Sequence, residues 1–214
     1  MKTTLLVSIL TIGLGTALAT TSDAIKITVG ASTATIADTG ACTGTCGTLS
    51  GDLNPLNGTD TVSGSLGNWV ISITSGTSMS PADVPFGLDL TSLTATCNAN
   101  CATNSLDVKF SDINFSPSNP SFVTGYSLTS LSGTGSTSES AYYSNTNTLF
   151  AETTLIGTVG PFTGVAAGTK TGGVGSVAPY SLTLDQVFSA TGSSAISFSV
   201  DGAVSSVPEP TGVI

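Results

Sequence analysis

Four cysteines fall in two close pairs, Cys42 and Cys46 within ACTGTCG and Cys97 and Cys101 within TCNANCA, each with three residues between. An even number of thiols in an exported chain reads first as disulfides. Four cysteines allow three connectivities, so pairing within or between the two motifs stays open. A four-thiolate zinc site is the alternative, but its usual spacing is CxxC, and no histidine exists to complete a mixed site. A second set of donors, Asp52, Asn54, Asn57 and Asp60, lies in the turn-rich segment DLNPLNGTD. Such oxygen donors suit calcium, a hard cation. The order departs from an EF-hand loop, because a donor is wanted at position 56 with glycine following, and Asn57 comes one residue late. An ordinary Asx-rich turn accounts for the same residues. Asp107 and Asp112 form a weaker carboxylate cluster of this kind. Apart from calcium, the residues suggest no cofactor.

Catalytic arrangements are scarce by type. Without histidine there is no Ser-His-Asp or Cys-His constellation, and all four basic residues are lysines, so no arginine can clamp phosphate or carboxylate. Thirteen acids supply many carboxylate pairs of the sort a glycosidase uses, but pairing in space is not written in the sequence. The glycine-rich stretch 164–175 lacks the Lys-Ser/Thr ending of a phosphate loop. The expectation is a non-enzymatic protein. For carbohydrate, the rings on offer are Trp69, Tyr142 and Tyr143. Trp69 also shares a strand face with Ile71 and Ile73, which reads as core.

These residues must be positioned by a chain that is made for export. Met1 to Thr4 give a short cationic start, Leu5 to Leu14 an apolar run, and Ala17-Leu18-Ala19 a cleavage site, so residues 1–19 read as a signal peptide. The apolar run falls short of the roughly 20 residues needed to span a bilayer. Residues 20–206 then form one domain. The whole chain is 39% apolar, enough for a sizeable core, but only 8% charged. The surface must be hydroxyl, amide and glycine. A mean hydropathy of +0.37 comes from scattered Val, Ile, Leu and Ala rather than from a membrane-length run. The net charge is -9. A basic face for nucleic acid cannot be assembled from so few lysines, and anionic lipid is disfavoured for the same reason.

Period-two alternation of β-branched and small polar residues dominates, with Gly, Asn, Pro and Ser between runs. About eleven strands are expected, near 25–29, 33–36, 61–66, 69–74, 88–96, 105–110, 122–130, 138–143, 149–156, 180–190 and 195–200. The fold class is all-β: an antiparallel β-sandwich, with a jelly roll as one form of it, and essentially no helix after the signal peptide. The glycine- and serine-rich stretches 132–138 and 164–175 read as mobile loops.

Val207-Pro208-Glu209-Pro210 directly follows the last strand. This end resembles the start of a PEP-CTERM sorting signal. Ser63 to Val70 (SGSLGNWV), Phe86 to Leu90 (FGLDL), Leu106 to Asp112 (LDVKFSD) and Tyr180 to Thr183 leading into Val187 are similar to runs in β-domains carried with that tail. In that family a membrane-spanning helix and an arginine-rich tail follow the motif and are read by an exosortase. Residues 207–214 carry the motif alone. The resemblance implies an exported protein of the Gram-negative cell envelope, cell surface or extracellular matrix, with an exosortase-type processing enzyme and extracellular polysaccharide as partners. It implies a role in biofilm and no site residues beyond the motif. A calcium-dependent carbohydrate-binding module is the alternative function.

Overall fold

The computed structural model describes residues 22–79, 86–116, 120–173, 175, 178–192 and 194–207. The expected signal peptide and Pro208, Glu209 and Pro210 of the sorting motif lie outside them, while Val207 ends the final strand. Thirteen strands are present: β1 (Ala24–Val29), β2 (Ser32–Ala37), β3 (Cys42–Gly44), β4 (Thr59–Leu66), β5 (Trp69–Met79), β6 (Gly87–Cys97), β7 (Leu106–Phe115), β8 (Ser121–Ser132), β9 (Gly135–Ser144), β10 (Thr154–Phe162), β11 (Ala166–Gly173), β12 (Tyr180–Ala190) and β13 (Ile196–Val207). A single 3-10 turn, Cys101–Thr103, is the one helical element among the described residues.

The strands form two antiparallel sheets. The seven-stranded sheet has the order β10-β9-β12-β7-β1-β2-β3, and the six-stranded sheet the order β11-β8-β13-β6-β5-β4. From β6 to β13 the chain lays down two interlocked four-strand halves, β6-β13-β8-β11 and β7-β12-β9-β10, which is the winding of a jelly roll. Strands β1 to β3 widen one half and β4 with β5 the other. The sandwich expected from sequence is therefore present, in its jelly-roll form.

Alternation explains the core. Ile25 and Ile27 of β1, Val108 and Phe110 of β7, and Leu182, Leu184 and Phe188 of β12 point from the larger sheet into the interior. Leu88, Leu90 and Leu93 of β6 and Phe198, Val200 and Val204 of β13 meet them from the other. Period two sends the intervening Thr, Ser and Asp outward. Four elements depart from the sequence reading: β3 (Cys42–Gly44) was not expected, β9 opens at Gly135 inside the stretch 132–138 read as a loop, and two more differ as follows. Residues 166–173, expected to be loop, form β11 on the edge beside β8, pairing Ala166 with Leu128 through to Gly173 with Ser121. Backbone pairing with an existing strand needs no apolar alternation, so the Gly-Thr composition hid it. Residues 149–153, expected to begin a strand, instead belong to a strap across the outer face of the larger sheet. There the Phe150 N–H donates to Ser111 Oγ at 3.0 Å and Lys26 Nζ sits 4.5 Å from the Phe150 ring centroid. Glu152 takes the Lys109 ammonium, which also donates to Asp185 Oδ2 at 2.9 Å. The strap buries Ser111 and Thr183, outward hydroxyls that also hydrogen-bond each other.

Both disulfides close within their motifs, Cys42 to Cys46 and Cys97 to Cys101, and none of the four thiols is left for zinc. Each closes only a four-residue separation, so the chain-entropy contribution is about 2 kcal/mol apiece.

Between the sheets, Glu139 of β9 is fully buried and accepts from Thr124 Oγ1 and Gln186 Nε2, both at 2.9 Å. It fits because position 202 on β13 is glycine: a Cβ there would stand 1.7 Å from Glu139 Oε2 and 2.3 Å from Gln186 Nε2. Gly202→Ala is expected to destabilise the fold by about 1–3 kcal/mol, the usual cost of overpacking, measured by urea denaturation.

Candidate functional site

Two places in the sandwich gather polar groups that a core or a plain surface does not need. The first is at the end of the fold where β1, β2, β4 and β7 begin or stop. In β1 the inward residues are Ile25 and Ile27, and one more step of two places Asp23 on the same face. The same parity carries Asp38 beyond Ala34 and Ile36, Asp60 before Val62, and Asp112 beyond Val108 and Phe110. Ala24 pairs with Ala37 on one side and Ser111 on the other. Asp38, Asp23 and Asp112 thus continue those registers as a row across the larger sheet, and the Asp38 N–H donates to the Asp23 carbonyl at 3.1 Å. Asp60 faces this row from the smaller sheet, and Asp52 closes it from the preceding loop.

Burial here is nearly complete: Asp23 and Asp112 are 1% exposed and Asp60 0%. Asp112 is well served, accepting from the Ser22 and Ile113 N–H groups and from the Ser78 hydroxyl at 2.5 Å. Asp52 Oδ1 accepts from the Asn54 and Thr61 N–H groups, and its Oδ2 from Thr39 N–H at 2.9 Å. Asp38 Oδ2 accepts from Gly58 N–H at 3.1 Å. Apart from the Asp23 N–H and each other, no hydrogen-bond donor serves the carboxyls of Asp23 and Asp60, which interact with one another. One oxygen each from Asp38, Asp52 and Asp60 lies within 4.8 Å of the other two, the spacing of groups able to share an ion. Burial, then the charges of Asp112 and Asp38, lifts the Asp23 carboxyl to about 7. Burial, then the charges of Asp23 and Asp52, lifts Asp60 to about 9. Asp112 is raised by burial as well.

The sequence reading thus identified Asp52 and Asp60 in this cluster, named Asp112 only in a pair with Asp107, and missed Asp23 and Asp38. Asp52 and Asp60 converge, but Asn54 does not join them: its Oδ1 accepts the Leu56 N–H at 3.0 Å in an Asx turn. Asn57 is exposed. With Thr39, Asp52, Leu53, Asn54 and Pro55 it lines a recess of about 520 Å³ at the surface. Asp107 and Asp112, paired in the sequence reading, separate, Asp107 to Lys109 at 3.5 Å on the outer face and Asp112 to the interior. Asp23 and Asp38 flank the paired strands β1 and β2 and Asp112 lies on β7, and their common signal was inward parity toward a strand end.

The second place is an open trough of about 320 Å³ on the outer face of the six-stranded sheet, across β11, β8, β13 and β6. Gly125 and Ala203 give it a low floor, Thr91, Ser127 and Thr169 supply hydroxyls, and Asp89 and Asp201 stand on its β6–β13 side. Asp201 Oδ1 accepts from Ser92 N–H at 2.7 Å. Asp89 Oδ1 has no donor, and burial followed by the charge of Asp201 raises its carboxyl.

The rings named from sequence do not gather at either place. Trp69 is 0% exposed, its Nε1 donating to Asn104 O at 3.0 Å and its ring stacked on Phe198. It has no face for a sugar, and its core reading stands. Tyr143 is buried edge-on against Tyr180, and Tyr142, half-buried, is its neighbour on β9 in the other sheet.

No protein-family model matches the chain, and no curated protein matches it. Among solved structures, it is similar to the enzymatically active domain of bacteriophage CBA120 tailspike protein 4, with 15% identity and a TM-score of 0.37 over 65% of this chain and 19% of that one. It is similar to the CBM22-1 and GH10 modules of Clostridium thermocellum xylanase 10B, with 10% identity and a TM-score of 0.31, covering 69% of this chain and 27% of that one. It is also similar to the mannan-recognising module TmCBM27, with 9% identity and a TM-score of 0.30, covering 64% and 88%. The chain thus spans about a fifth to a quarter of the first two.

Burial holds the Glu139 carboxyl at about 8, against an ordinary 4.5. Between those values the folded chain keeps a proton that the unfolded chain has lost, so this group's stabilisation is whole below about pH 4.5 and is lost as pH rises through about 8. Urea denaturation from pH 5 to 8.5 is expected to show stability falling more steeply in the native chain than in Glu139→Gln.

Proposed function

We propose that the chain is a non-enzymatic, exported β-sandwich of the cell surface or extracellular matrix that associates with neutral polysaccharide through the trough on its six-stranded sheet. The supporting observation is the trough itself, a low floor of Gly125 and Ala203 flanked by hydroxyls and by the Asp89 and Asp201 side chains. A glycan strand laid across it offers hydroxyls that donate to the carboxylates and accept from Thr91, Ser127 and Thr169. An acidic glycan would be repelled by Asp89, Asp201 and a net charge of -9.

The address rests on further features. Two closed disulfides fit an oxidising compartment, and no helix of the described residues is long and apolar enough to cross a membrane. The signal peptide and the Val207 to Pro210 motif support export with processing by an exosortase-type enzyme at a Gram-negative envelope, in a biofilm setting.

Affinity electrophoresis of the oxidised protein through gels containing neutral or acidic polysaccharides tests the binding. Retardation by at least one neutral polymer is expected, with loss of retardation in Gly125→Phe, which fills the floor. Gly125 has open space beside it, a Cβ there meeting only Thr169 Cγ2 at 3.6 Å. Equal mobility in every gel, or unchanged retardation of the variant, would refute the reading.

A further inference from the structure

Burying a carboxylate requires a compensating positive charge or donors, because desolvation of an isolated anion costs more than folding can spare. This chain has few means to supply either at the β1–β2–β4–β7 end. It contains no histidine and no arginine. Its three described lysines are placed elsewhere: Lys26 over Phe150, Lys109 among Asp107, Glu152 and Asp185, and Lys170 against Gly157 of β10. Yet Asp60, 0% exposed and with no side-chain donor but the facing Asp23, brings one oxygen within 4.8 Å of an oxygen of Asp38 and of Asp52, and Asp23, 1% exposed, adjoins Asp60 and Asp38.

We infer that this end of the sandwich is a calcium site, with Asp23, Asp38, Asp52 and Asp60 as the carboxylate ligands. The donor set is oxygen alone, which selects a hard cation over zinc or copper. Between the two common hard cations, calcium takes six to eight oxygens in flexible geometry. Magnesium demands a near-ideal octahedron and keeps its waters, which a set of four carboxylates with two fully buried members does not leave room for. Asp112 ends the row on its β7 side, its oxygens already held by Ser22, Ile113 and Ser78, and needs no ion.

The position gives the ion its work. Asp23 and Asp38 belong to the larger sheet and Asp60 to the smaller, while Asp52 belongs to the loop that joins β3 to β4. One cation therefore ties both sheets and the connecting loop together. It lies at the β4 edge of the smaller sheet, whereas the trough spans β11 to β6, so the ion acts on the scaffold and not on the glycan. The inference stands independently of polysaccharide binding.

The test is differential scanning calorimetry of the oxidised protein after treatment with chelator at pH 7.5, with calcium chloride or magnesium chloride added back. Calcium at about a hundredfold excess over its dissociation constant is expected to raise the melting temperature by about 5–10 °C, with a much smaller response to magnesium. Isothermal titration with calcium chloride should give one site per chain. Asp60→Asn, or Asp23→Asn if the first does not fold, should abolish the response, while Glu152→Gln on the strap should retain it. The absence of any calcium response would mean that Asp23 and Asp60 merely share a proton and would overturn the inference. An equal response in Asp60→Asn or Asp23→Asn, or an equal response to magnesium, would also overturn it.

Discussion

A chain with thirteen acids and four lysines has almost nothing with which to neutralise a carboxylate that it buries, and this shortage organises the polar interior. Each buried acid is handled by a different means. Lys109 gathers Asp107, Glu152 and Asp185 on the outer face of the larger sheet, and its own ammonium is stabilised there: burial opposes its charge, but the carboxylates of Glu152 and Asp185 outweigh that and raise its pKa. Glu139 is neutralised by a proton and two neutral donors beneath Gly202. Asp112 collects backbone and hydroxyl donors. The Asp23 and Asp60 carboxyls have no lysine and no hydroxyl or amide side chain to serve them and face only one another and further carboxylates.

What the sequence disclosed follows the range of the interactions concerned. Strands with apolar alternation were legible, and β12, with Leu182, Leu184 and Phe188 on one face, spans the range expected. β11 was not, because Gly168, Thr169, Thr171 and Gly172 carry no face; the strand exists through its hydrogen bonds to β8. The strap at 145–153 was misread in part because Phe150, apolar and beside Leu149, looks like the opening of a strand, whereas its ring is held from outside by Lys26. The within-motif disulfides belong to the legible class as candidates, with their connectivity supplied only by the fold.

The acidic centre divides in the same way. Asp52 and Asp60 are close in sequence and were visible as a donor-rich turn, but Asp23, Asp38 and Asp112 reach it only through the β1–β2 and β1–β7 registers. Asn54 and Asn57 looked equivalent to their acidic neighbours in sequence, yet one is consumed by its own turn and the other faces solvent. Alternation with Ile71 and Ile73 reads Trp69 as core, and the ring is fully buried against Phe198 of the same sheet, leaving no platform there.

The last strand, β13, has a mechanical meaning. Its twelve residues run through the middle of the six-stranded sheet, hydrogen-bonded to β6 on one side and to β8 on the other along nearly their whole length. Traction applied at Val207 along the strand would load both ladders in shear at once, so that the bonds yield together instead of unzipping one by one. Both covalent crosslinks lie in local loops and carry none of that force. A domain pulled from this end is anchored by its most thoroughly paired strand.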